Sequence, residues 1–264
     1  MSVALAIGPV GMARSGRVQE HLASRTRPGR RFVPRAELEL SPALRDLAAR
    51  LPGASSGVIV ISEMSGPTGL PDLVALPITP KLESRLALEC PPVLAWGDAR
   101  LAAACSSSRA LSERALARRL DVPEDAVRRR ARRLEREGAL LRASRGWLRA
   151  HELEPVGRLY ALEAKVNDWN AGLGQALRYG SWADASAVVM AQLPRDPSPA
   201  IAQALQLGLG LALGPRWLVR PKVRRLSLAH RLWASEHLIA ALRVPSSRGQ
   251  ELPKPLGLGV ALER

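Results

Sequence analysis

Two rhythms of apolar and polar positions run along the chain. "GVIVISEM" (57–64) is a β-branched run suited to a strand, "SGPTG" a turn and "LPDLVALP" a second short apolar strand, so the economical reading is a hairpin. Ahead of it, Leu40, Leu44, Leu47 and Leu51 recur at helical spacing in "PRAELELSPALRDLAARLPG", which predicts one helix stopped by Gly53. Beyond residue 150 the two rhythms alternate: "GRLYALEAKV", "ASAVVMAQL", "LALG" and "RWLVRP" read as strands, "DWNAGLGQALRYGSW" and "PSPAIAQALQLGLG" as helices. "LAHRLWASEHLIAALR" closes the series as an amphipathic helix with Leu228, Leu232, Ile239 and Leu242 on its apolar face. Alternation of this kind predicts an α/β fold, a largely parallel or mixed sheet covered by helices.

Residues 98–150 have a different character. "DARLAAACSSS" and "LSERALARRL" read as helices, the second with Ser112 as N-cap and broken by "DVP". A third helix, "PEDAVRRRARRLEREGAL", has Pro123 in its first turn and Gly138 past its end. Val127, Ala131 and Leu134 give it one apolar seam, and Arg128, Arg129, Arg130, Arg132, Arg133 and Arg136 occupy the remaining surface. "LLRASRGWLRA" follows as two short strands around a basic turn carrying Arg145. Over about fifty residues the segment resembles a winged helix-turn-helix. That resemblance implies a third helix in the DNA major groove, a hairpin on the backbone, and these seven arginines as DNA contacts.

Composition sharpens this picture. With 264 residues and 47% hydrophobic positions the chain can bury a core, and a net charge of +15 favours a polyanionic partner: DNA, RNA or an anionic membrane surface. Cys90 and Cys105 lack metal-ligand spacing, His21, His151, His230 and His237 are scattered, and no apolar stretch is long enough to cross a bilayer. The start, "MSVALAIGPVGMARSG", has no basic residue ahead of its apolar run, so a cytoplasmic protein is expected.

The chain holds only four lysines, and one of them, Lys165, stands two residues after Glu163 in an apolar strand. Side chains two apart share a strand face, so Glu163 and Lys165 point together, away from Tyr160, Leu162 and Ala164. Burying such a pair costs free energy unless each partner finds the other or a ligand. Asp72, at the start of the second hairpin strand, can join Glu163 and the Ala164 carbonyl in an open oxygen site suited to Mg²⁺. Gln175 and Tyr179, four apart, share one helix face and can reach a phosphate or sugar.

"PD" at 71–72, "EAK" at 163–165 and Gln-x-x-x-Tyr at 175–179 together resemble the PD-(D/E)XK nuclease superfamily. The resemblance covers about residues 57–97 and 151–225. It implies a restriction-endonuclease-like mixed sheet flanked by helices and Mg²⁺- or Mn²⁺-dependent hydrolysis of DNA phosphodiesters. Asp72, Glu163 and Ala164 would be metal ligands and Lys165 would position water, with Gln175 and Tyr179 in support. Glu63 would be a third carboxylate, a place that Glu37 or Glu39 on the earlier helix can also fill. One departure is the wide separation of Asp72 from Glu163, explained by insertion of the winged helix; otherwise Glu152 or Glu154 is the first ligand. The expected organisation is an irregular extension (1–34), a first core segment (35–97), the winged helix-turn-helix (98–150), a second core segment (151–243) and a tail (244–264). The rival function is a winged-helix transcriptional regulator on an inactive nuclease-like scaffold, and a homodimer or partner proteins stay open.

Overall fold

The structure, a computed structural model, describes residues 18–22 and 35–244; the rest of the expected extension and all of the tail after Val244 lie outside the described residues. Residues 18–22, expected to be irregular, instead form strand β1 (Val18–Leu22), parallel to β2 (Val58–Ser62) at the sheet edge. Between them lie α1 (Arg35–Leu38) and α2 (Ser41–Ala48). The single helix expected there is divided, because Pro42 takes a first-turn position and marks a new start. Leu40, Leu44, Leu47 and Leu51 are all buried.

β2 and β3 (Leu73–Pro77) form the antiparallel hairpin, with Val58 opposite Pro77 and Ser62 opposite Leu73. Next comes α3 (Pro80–Ala87), a helix that apolar rhythm does not announce, since its buried face combines Leu82 with the charged Arg85. The chain then builds a unit of three helices and a hairpin: α4 (Trp96–Ala104), α5 (Glu113–Leu120), α6 (Glu124–Arg136), β4 (Leu140–Ala143) and β5 (Gly146–Arg149). Ser112 caps α5 by accepting from Ala115 N, whereas Pro123 is the N-cap of α6 rather than a residue of its first turn. Leu111 makes an isolated antiparallel bridge to Trp147 of the β4–β5 pair. Leu116, Val127, Ala131, Leu134 and Trp147 belong to the core of this unit.

The chain rejoins the large sheet at β6 (Tyr160–Lys165), antiparallel to β3, with Leu162 opposite Leu73. α7 (Trp169–Tyr179) crosses to β7 (Ala185–Met190), and α8 (Ser198–Leu207) crosses to β8 (Gly210–Leu213); both strands run parallel to their predecessors. β9 (Arg216–Val219) pairs antiparallel with β8, and α9 (Leu228–Arg243) ends the described chain. The seven strands lie in the order β1-β2-β3-β6-β7-β8-β9. The molecule is thus an α/β protein with a mixed sheet flanked by helices.

Leucines of α2 pack on one sheet face, against Val58, Val60, Leu162 and Val189. On the other face Ile61, Val74 and Ala161 meet Tyr179, Trp182, Leu238 and Ile239, and farther along the sheet Val188 and Leu211 meet Ala176, Ala200 and Ala204. α9 departs from a one-sided amphipathic helix. Leu228 is exposed, Leu232 enters the three-helix core, and Leu238 and Ile239 enter the sheet core. A helix shared by two cores needs buried residues around most of its circumference, which accounts for the burial of Ser235 and Glu236. Among the described residues no helix is long and apolar enough to cross a membrane.

Candidate active site at the ends of β3 and β6

One step beyond the Leu73–Leu162 pair, the antiparallel register brings Asp72 opposite Glu163. Asp72 Oδ2 accepts a 2.7 Å hydrogen bond from Ala164 N, so the carboxylate continues the strand ladder where β3 begins. The insertion of residues between β3 and β6 leaves these two strands adjacent. Glu154 stands elsewhere, bonded to Lys81 at 2.7 Å before β6 begins, and Glu152 is exposed.

Glu163 is fully buried and Lys165 is 7% exposed, which excludes a pair on a solvated sheet face. Lys165 Nζ donates to Glu163 Oε1 (2.9 Å), to the Ala164 carbonyl (3.0 Å) and to Glu37 Oε1 (3.4 Å). Tyr179 OH donates to Glu163 Oε2 at 2.8 Å. Hydrogen bonds to a charged, buried carboxylate are each worth about 1.5–3 kcal/mol, enough to fix its orientation.

Helix α7 supplies the roof. Asp168 caps it by accepting from Ala171 N, and its Gly172 lies so close to the sheet that a Cβ would stand 2.7 Å from Val188 Cγ1 and 3.0 Å from Lys165 Cγ. The lysine stem is therefore clamped under a residue without a side chain. One turn before Tyr179, on the same face of α7, Gln175 is half-buried. The β2–β3 loop braces Tyr179 from outside. Gly69 (φ +83°) packs against the Tyr179 ring, and Trp182 Nε1 donates to Thr68 O at 3.0 Å.

The second carboxylate that meets Lys165, beside Glu163, is Glu37 of α1, and not Glu63. Glu63 adopts a left-handed backbone (φ 51°) at the end of β2, where its N–H bonds Asp72 O at 3.1 Å and its side chain is exposed; Glu39 is also exposed. The four side chains Glu37, Asp72, Glu163 and Lys165 carry three negative charges against one positive. Carboxylates and a backbone carbonyl are the hard oxygen donors that Mg²⁺ or Mn²⁺ prefers, so the residues fit such an ion in kind. Among the described residues no three His, Cys, Asp or Glu side chains form a metal-holding group on their own. The Ala164 carbonyl and solvent would have to complete the shell, in keeping with the waters Mg²⁺ retains.

The basic helix is a second candidate surface. Arg128, Arg129, Arg130, Arg132, Arg133 and Arg136 of α6 are all exposed, as is Arg145 in the β4–β5 turn. Three of them are neutralised within the unit: Arg128 pairs with Glu113 at 2.7 Å, Arg129 with Asp125 and Arg133 with Asp98. The Arg128 bond holds the Glu113 carboxyl below its usual range. Arg130, Arg132, Arg136 and Arg145 have no carboxylate partner among the described residues. No family model, curated protein or solved structure matches this chain.

Proposed function

We propose that this protein is a Mg²⁺- or Mn²⁺-dependent deoxyribonuclease of PD-(D/E)XK type carrying a winged helix-turn-helix for DNA binding. One observation carries the reading. Strand register sets Asp72 opposite Glu163, and the Lys165 ammonium lies 2.9 Å from Glu163 and 3.0 Å from the Ala164 carbonyl at the same strand ends. The order of elements supports it: a helix, an antiparallel hairpin, a third strand, a crossover helix and a parallel fourth strand, with Asp72 at the start of the second hairpin strand and Glu163 and Lys165 on the third. The helix order and the hairpin between β3 and β6, on which the winged-helix resemblance rests, support the DNA-binding part.

Asp72, Glu163 and the Ala164 carbonyl would hold the ion. When bound, it supplies a water of lowered pKa and positive charge beside the scissile phosphate. Lys165, held by Glu163 and clamped beneath Gly172, would present its ammonium to the attacking water and to the charge that builds on phosphorus. Tyr179 keeps Glu163 oriented through one oxygen and leaves the other to the Lys165 side. Arg130, Arg132, Arg136 and Arg145 would anchor the DNA backbone.

The test is hydrolysis of supercoiled and linear DNA with and without Mg²⁺ by wild type, Asp72→Asn and Lys165→Met. Metal-dependent cleavage reduced at least about 100-fold in both variants is expected; equal cleavage in all three would remove the catalytic assignment. A second reading, a regulator on an inert scaffold, draws on the closed ion pairing of Lys165, which engages both Glu37 and Glu163. Tight metal-independent operator binding without cleavage would favour it.

A further inference from the structure

At the end of the sheet away from Asp72 and Lys165, β3 and β6 open onto a cleft of about 810 Å³. Its apolar walls include Pro77 at the end of β3, Ile78 just after it, Val156 and Gly157 before β6, and Leu228 of α9. Four cations line it, Lys81, Arg149, Arg158 and Arg231, the last of them paired with Asp184 at 3.0 Å, and the lining holds one carboxylate, Glu154. Lys81 and Arg231 belong to the first turns of α3 and α9, whose N-terminal ends favour anions.

Arg149 is the telling residue. Its side chain is 7% exposed, yet Nε and Nη1 have no hydrogen-bond partner among the described residues. Nη2 stands 3.6 Å from Glu154 Oε1, too far for a hydrogen bond. Glu154 is itself committed to Lys81, whose hydrogen bond holds that carboxyl below its usual range. A buried guanidinium with idle donors is costly unless an anion completes it, and its planar fork suits the paired oxygens of a phosphate. A cleft of this volume and lining is of small-ligand size.

We propose that this cleft binds a phosphorylated small molecule of nucleotide size. Its phosphates would lie on Arg149, Lys81 and Arg158, and its planar or apolar part against Ile78 and Leu228. Arg149 comes from the three-helix unit while Ile78 and Val156 flank the sheet strands, so an occupant touches both units at once. The assignment uses none of the residues placed in phosphodiester cleavage and stands or falls separately from it.

Calorimetric titration of the full chain with ATP, pyrophosphate and inorganic phosphate tests it. ATP or pyrophosphate is expected to saturate one site per chain, with affinity at least about tenfold weaker in Arg149→Gln and in Lys81→Gln/Arg158→Gln. Lys165→Met is expected to bind these probes as wild type does. Lys81 is 62% exposed at its side chain and Arg158 is exposed, so the double variant decides the matter if Arg149→Gln does not fold. No saturable binding of any probe, or wild-type affinity in the double variant, would overturn the site. Displacement of bound ATP by a short DNA duplex would reassign the cleft to nucleic-acid phosphates and equally overturn it.

Discussion

Replacing Glu236 by leucine isolates the most deeply buried ion pair among the described residues. Arg85 of α3 and Glu236 of α9 are both 0% exposed and meet through two hydrogen bonds, Nε to Oε1 at 2.8 Å and Nη2 to Oε2 at 2.6 Å. Glu236 Oε2 also accepts from Val93 N at 2.9 Å. Without Glu236 the guanidinium retains, among the described residues, only the Cys90 carbonyl, at 3.4 Å. Stranding one partner of such a pair costs about 3–5 kcal/mol. At roughly 2–4 °C per kcal/mol for a chain of this size, the melting midpoint should fall by about 6–20 °C. Arg85→Met should cost a similar amount. The double variant should return much of the loss, since an apolar replacement removes both desolvation penalties and leaves only Val93 N–H unpaired, at about 1–3 kcal/mol. The assay is a double-mutant cycle by urea and thermal unfolding, followed by both circular dichroism and tryptophan fluorescence so that separate unfolding of the two units would be seen. Single-variant losses below about 1 kcal/mol, or strictly additive effects, would refute the reasoning.

Gly172→Ala should lower the melting midpoint and DNA hydrolysis together. The new Cβ meets Val188 Cγ1 at 2.7 Å and Lys165 Cγ at 3.0 Å. Overpacking of about 1–3 kcal/mol then outweighs the helix-propensity gain of about 1 kcal/mol; a raised midpoint with unchanged activity would contradict this. DNA affinity should fall with salt at a log–log slope of about −3.6, from four arginines without carboxylate partners at about 0.9 each. Arg132→Gln should flatten that slope by about 1, and a flat response in wild type would remove the basic helix as a phosphate-contacting element. Burial pushes the thiol of Cys90 up to about 11 and that of Cys105 to about 12. Both values lie above the unfolded thiol, so the stability these thiols contribute is complete below the unfolded value of 9.0 and is lost as pH rises through the folded ones. A thiol reagent at pH 8 should therefore leave the native chain unmodified and titrate both cysteines after denaturation; rapid reaction of the native protein would show the sites to be open.

Local rhythm made most elements of the large sheet legible, because alternation and helical spacing are set by neighbours a few residues apart. It failed where a charge took an apolar place. Arg85 hides α3, and Glu236 falls at the spacing of Leu232 and Ile239, a signal that the apolar stripe of α9 contains a buried ion needing a partner. Arg149 shares the inward face of β5 with Trp147, and that alternation would have exposed it as a buried cation. The site was half legible. Glu163, Lys165 and Tyr179 are close in sequence and their meeting follows from strand and helix periodicity. The choice of Glu37 over Glu63 depends on a contact between residues 128 positions apart and on a left-handed backbone at Glu63, neither of which spacing encodes. The arginines of α6 were visible as a group. Their partial neutralisation by Asp98 and Glu113 was not, since those acids come from other parts of the three-helix unit.

Divalent-ion binding measured on the metal-free protein tests the Asp72–Glu163 pair most directly, because it needs no knowledge of the DNA substrate. Calorimetric titration with Mn²⁺ should show a saturable site in wild type, weakened at least about tenfold in Asp72→Asn and in Glu163→Gln with the fold retained by circular dichroism. Absence of binding in wild type, or the same isotherm in all three proteins, would contradict a cation site between these carboxylates.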